Sequence, residues 1–98
     1  MKQFTTPEQT DFLIDKGFDK PSPKWVQDEN GEYRVMANNA GYDIWELLNQ
    51  LSRFTIEINN NTDKKSWVVS NPNYYVVCKE LIDCLFILCA KLKKDGKL

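Results

Sequence analysis

The stretch "NPNYYVVCKELIDCLFILCAKLKK", residues 71–94, decides how this chain is read. It holds all three cysteines of the chain, at 78, 84 and 89. Asn71 has the side chain of an N-cap and Pro72 suits a first helical position, so the sequence predicts one long helix over 72–94, with Gly96 beyond its end. At roughly 100° per residue, Tyr74, Cys78, Leu81, Ile82, Leu85, Leu88, Cys89 and Leu92 gather into one apolar stripe. On such a helix Cys78 and Cys89 lie roughly 16 Å apart, too far for a disulfide or a shared metal, and Cys84 points off to one side. The cysteines then read as small hydrophobes of a core helix rather than as a metal or redox site. The chain has no histidine to complete a metal set.

The same helical wheel leaves a second surface. Val76 and Ile87 fall opposite the stripe, Phe86 lies at its flank, and "CLFILCA", 84–90, is apolar nearly all round. A helix of that kind is covered on more than one side, either by other helices of its own domain or by another chain. Phe86, Ile87 and Val76 are therefore candidate partner-binding residues.

Upstream, a first helix is predicted at 7–16. Thr6 and Gln9 are spaced as a capping box, Pro7 suits the first position, and Gly17 with Phe18 forms a left-handed stop. After Pro21 and Pro23, "KWVQDENGEYRVM" places β-favouring runs at 24–28 and 32–36 around Asn30-Gly31, a hairpin signal. Asp43 and Glu46 make a second capping box, and Ile44, Leu47, Leu48 and Leu51 share one face of a helix at 43–52. In "FTIEI", 54–58, apolar and polar residues alternate, predicting a half-buried strand. A polar loop at 59–65 and a returning strand at 66–70 complete a second hairpin. The expected fold is α+β, a single domain over 1–98. Its two hairpins make an antiparallel sheet of about four strands covered by three helices, in the order helix, hairpin, helix, hairpin, helix.

Composition limits the function. The chain has 98 residues, 42% apolar and 28% charged, with net charge −1. That suits one modest core and sets up no global field for nucleic acid or membrane. Residues 1–50 carry five Lys/Arg and nine Asp/Glu, net −4, and residues 51–98 carry eight and five, net +3. Lys91, Lys93, Lys94 and Lys97 supply most of that excess. They read first as cations at a helix C-terminus. Lys91, Lys93 and Lys94, with Lys64 and Lys65, are candidate phosphate contacts and make a nucleic-acid accessory role the alternative function.

The start, MKQFTTPEQT, has no apolar signal region, and no apolar run is long enough to span a bilayer. Three clustered cysteines are not a disulfide framework, so the expected location is the cytoplasm. "DENGE", 28–32, lacks calcium-loop spacing and reads as a solvated turn. No Gly-x-Ser-x-Gly, phosphate-cradling loop or histidine base is present, so no enzyme and no cofactor is expected. Trp25, Tyr33 and Trp67 lie on predicted strands, where they either pack under helices or offer an aromatic platform to a partner.

The phrases "TTPEQTDFLIDKGF", "YDIWELLNQL", "WVV" and "NPNYYVVCKELIDCLFILCAKL" cover about half the chain. In them it resembles short proteins of unknown activity found in Bacteroidetes genomes and their prophages. The resemblance implies a cytoplasmic, mobile-element-borne protein and transfers no activity or catalytic residue. The function expected is a small non-enzymatic interaction module that binds another protein or a second copy of itself, with neither membrane nor metal involved.

Overall fold

The computed structural model describes residues 2–27, 29–36 and 41–98, and for 25–27 and 33–36 it describes the backbone alone. Among these the chain runs as helix α1 (Pro7–Asp15), strands β1 (Lys24–Gln27) and β2 (Tyr33–Met36), helix α2 (Ile44–Gln50), strands β3 (Glu57–Asn61), β4 (Ser66–Asn71) and β5 (Tyr74–Cys78), and helix α3 (Leu81–Lys94). The class is α+β, as the sequence predicts. The single four-stranded sheet is corrected to two separate antiparallel sheets, β1-β2 and β3-β4-β5.

Local signals hold where capping chemistry is complete. At the start of α1, Gln9 N donates to Thr6 Oγ1 at 3.1 Å and Thr6 N to Gln9 Oε1 at 2.9 Å. The helix ends as Phe18 N donates to Leu13 O and Gly17 N to Ile14 O, with Gly17 at φ +98°. These are the paired bonds of a left-handed glycine stop. At α2, Glu46 N donates to Asp43 Oδ1 and Asp43 N to Glu46 Oε1. This helix closes at Gln50, short of 52, because Leu51 is already its C-cap. The first hairpin's last described pair is Gln27 with Tyr33, so β2 begins one residue after the predicted 32, and residue 28, the predicted end of the first strand, lies outside the described residues.

The largest correction falls on residues 71–80. Asn71 does not cap a helix. Its Oδ1 accepts Asn73 N at 2.9 Å and Tyr74 N at 2.8 Å, closing a two-residue turn through Pro72. Residues 74–78 then run back along β4 as β5, with Trp67 opposite Cys78 and Asn71 opposite Tyr74. The run Tyr-Tyr-Val-Val is β-branched and aromatic, chemistry that suits a pleated surface. The helix begins only at Leu81. Its cap, Glu80, makes no side-chain cap bond and instead accepts Lys2 N at 3.0 Å.

The strand predicted at 54–58 also moves. Phe54 N donates to Leu51 O, so the turn after α2 runs on into it, and β3 starts at Glu57. The loop predicted at 59–65 contracts to Thr62–Lys65, with Lys65 at φ +50°. The second hairpin thus becomes a three-stranded meander.

The core lies between α3 and the inner face of this meander. Ile82, Cys84, Leu85, Leu88, Cys89 and Leu92 of α3 are fully buried, with Val69 of β4, Leu13 of α1, and Leu47 and Leu51 of the α2 segment. Two ion pairs tie the helices to the rest. Lys2 Nζ sits 2.6 Å from Asp83 Oδ1, which also accepts Gln9 Nε2 at 3.0 Å. Lys24 Nζ pairs with Glu46, which also accepts Ser22 N at 2.9 Å.

Burial pushes both carboxyls up. For Asp83, Gln9 and Lys2 outweigh it; for Glu46, Lys24 and the Ser22 and Asp43 amides do; both groups end below their ordinary values. Carboxylates depressed by folding contribute stability above their unfolded pKa, and lose it as pH falls through the folded one. Stability is therefore expected to drop as pH falls below about 4. Glu46→Gln should cost about 1–2 kcal/mol at pH 7 and far less at pH 2. Urea titrations at the two pH values check this, and an equal cost at both would remove the ionised pair as its source.

Candidate functional site

In an antiparallel ladder, Cα partners point to the same side and successive residues alternate. Val69 and Val76 are buried against α3, so their partner Ile58 and the ladder of Asn60, Trp67 and Cys78 share that inner face. The outer face carries the alternate set: Glu57, Ser70 and Tyr75 in one row, Asn59, Val68 and Val77 in the next, then Asn61 and Ser66. Tyr75 is 72% exposed and Val77 52%, and no described helix covers them.

These residues make a surface with an apolar centre and a polar edge. Val68 faces Val77 across the ladder, and Tyr75 precedes Val77 along β5 on the same face. Glu57, Asn59 and Asn61 run along β3, and Ser66 and Ser70 complete the rim. A shallow, open concavity of about 450 Å³ lies here, lined by Glu57, Asn59, Asn60, Asn61, Thr62, Val68, Ser70 and Tyr75. It holds a single carboxylate, whereas general acid–base chemistry on paired carboxylates needs two. Among the described residues no group of three or more His, Cys, Asp or Glu is arranged to hold a metal.

The residues singled out from sequence scatter. Phe86 and Ile87 are half-buried on α3 against the core, and Phe86 meets Phe12 edge to face at 5.8 Å. Val76 is 5% exposed on β5, a core residue and not part of a helical back face. Trp67 is half-buried on the inner face of β4. Trp25 and Tyr33 lie on β1 and β2, but their side chains fall outside the described residues. Lys91, Lys93 and Lys94 occupy the last turn of α3, where their charge opposes the helix dipole. Lys91 and Lys97 lie over the Tyr74 ring and Lys93 over Phe18.

The outer-face residues Tyr75 and Val77 escape a reading that puts 74–78 on a helix, whereas Val68 lies on the strand predicted at 66–70. The local signal at 74–77 is composition alone, two tyrosines and two valines in a row, which suit a strand.

The cysteines also rearrange. Cys78 leaves the helix for β5, and Cys84 is buried at the first turn of α3 rather than off to one side. Burial, Cys78 and Asp83 push the Cys84 thiol up to about 12, and burial pushes Cys89 to about 12.

No helix among the described residues is long and apolar enough to cross a membrane. Comparison with protein-family models, curated proteins and solved structures finds no match, and so supplies nothing on the likeness to Bacteroidetes and prophage proteins.

Proposed function

We propose that this chain is a small non-enzymatic interaction module that binds a protein partner through the outer face of the β3-β4-β5 meander. The observation that supports this is the exposed pair Tyr75 and Val77, beside half-buried Val68, inside a rim of Glu57, Asn59, Asn61, Ser66 and Ser70. An aromatic and aliphatic centre with a polar rim is the anatomy of protein interfaces, and exposed Tyr is a frequent anchor in them. Phe86 and Ile87 are weaker anchors on this reading, since the chain's own core already covers part of each.

The test is affinity capture on immobilised full-length chain, comparing Tyr75→Ala and Val77→Asp with Trp45→Ala. Trp45 is 74% exposed on α2, on the helix side of the molecule. A specific protein should be lost with both sheet variants, by tenfold or more in retained amount, and kept with Trp45→Ala, all three staying folded. Retention by the sheet variants with loss in Ile87→Asp would move the site to α3. A shift of labelled single-stranded nucleic acid at low salt, abolished by charge reversal at Lys91, Lys93 and Lys94, would replace the proposal with the nucleic-acid reading.

A further inference from the structure

We infer that Cys78 and Cys84 form a two-thiol modification site that low-molecular-weight disulfides, of the glutathione disulfide class, convert to an intramolecular disulfide. The inference is independent of the sheet-face reading. It rests on where the Cys84 sulfur lies. Sγ is 3.4 Å from the carbonyl oxygen of Trp67 and 3.7 Å from that of Val76. Trp67 is the Cα partner of Cys78 across the β4–β5 ladder, and Val76 precedes Cys78 by two residues on the same face. The Cys84 sulfur is therefore bracketed by the two backbone neighbours of Cys78. Burial and the nearby Cys78 together raise the Cys84 thiol. Cys89 is set apart, its sulfur 3.9 Å from Leu47 O on the α2 side.

Access differs between the two thiols in a useful way. Cys78 is partly exposed and Cys84 fully buried. The Cys78 thiolate attacks one sulfur of glutathione disulfide, the S–S bond breaks, and one glutathione leaves as thiolate and takes up a proton. This leaves a mixed disulfide on Cys78. The Cys84 thiol gives its proton to water, its thiolate attacks the Cys78 sulfur, and the second glutathione leaves. Two protein thiols are oxidised and one disulfide is reduced to two thiols, so electrons and protons balance.

The groups facing Cys84 are Cys78 from β5, Asp83 from its own helix and the Trp67 carbonyl of β4. With the Cys84 thiol held up near 12, the second step is slow at neutral pH and quickens about tenfold per pH unit.

The test incubates the folded full-length chain with glutathione disulfide at pH 7 and pH 8. Residual thiols are alkylated after denaturation, and the chain is cut with trypsin, which cleaves at Lys65, Lys79 and Lys91. Expected are peptides 66–79 and 80–91 joined with loss of two hydrogens, and one alkylated cysteine that fragmentation assigns to Cys89. Cys84→Ser and Cys84→Ala should both stop at a glutathione adduct on Cys78. A wild-type chain that stops at that adduct, joins Cys78 to Cys89, or stays reduced while the urea-unfolded chain oxidises would overturn the inference. These maps are read on the wild type itself, so a variant that fails to fold does not decide the outcome.

Discussion

Replacing Gly41 by alanine is expected to lower the unfolding free energy by about 3–5 kcal/mol. The cause is space. A Cβ on Gly41 would run into the Thr5 carbonyl oxygen and lie 2.5 Å from Thr5 Oγ1 and 2.9 Å from Thr10 Oγ1. Backbone cannot swing aside as a flexible side chain does. The atoms it meets also hold a junction together. Thr5 N donates to Tyr42 O at 3.0 Å, and Tyr42 N donates to Thr5 Oγ1 at 2.9 Å. Thr10 Oγ1 donates to Thr6 O at 2.8 Å, so across the 2.7 Å contact between the two hydroxyls Thr5 is the donor. Making room for a methyl group breaks this buried chain, which joins the segment before α1 to the segment before α2. For a domain of ordinary stability the loss approaches half of the total. Urea unfolding measures it, and a loss below about 1 kcal/mol would show that the junction opens without strain.

Leu85→Ala should cost about 2–5 kcal/mol and lower Tm by roughly 10–20 °C. Leu85 is fully buried where α3 lies over the meander. Its removal loses transfer free energy and leaves a cavity that Ile82, Leu88 and Val69 can fill only in part. Tyr75→Ala, on the opposite, outer face of the meander, should cost under about 1 kcal/mol. Differential scanning calorimetry on the two variants reads the contrast. Near-equal losses would mean that the outer face is not free, and that Tyr75 packs on something of its own chain.

The elements that could be read from sequence are those whose start or stop is written in local side chains. Thr6 with Gln9, Asp43 with Glu46, Gly17 with Phe18 and the hairpin around Asn30-Gly31 each announce themselves over a few residues. The element that was misplaced had a false signal at one end and none at the other. Asn71-Pro72 has the chemistry of a helix start but serves a turn, because Asn and Pro suit both. Glu80, where α3 does begin, has no capping side chain to reveal it. Tyr74 and Cys78 also fit the helical stripe by coincidence of spacing, since residues four apart lie on one face of a strand as well as of a helix. Those ten residues carried the candidate site with them. Once 74–78 is a strand, Val76 turns inward, Tyr75 and Val77 turn outward, and Cys78 comes to Cys84.

By itself, then, the sequence determined the α+β class, both capped helices, the first hairpin and the apolar face of α3 from Leu81 to Leu92, because periodicity and caps are local properties of the chain. Tertiary structure alone decided that 74–78 is a strand, that Gly41 must stay bare beside Thr5, and which side of the meander stays open. Those outcomes depend on which distant backbone supplies hydrogen-bond partners and which face α3 covers, and neighbours in sequence carry no record of either.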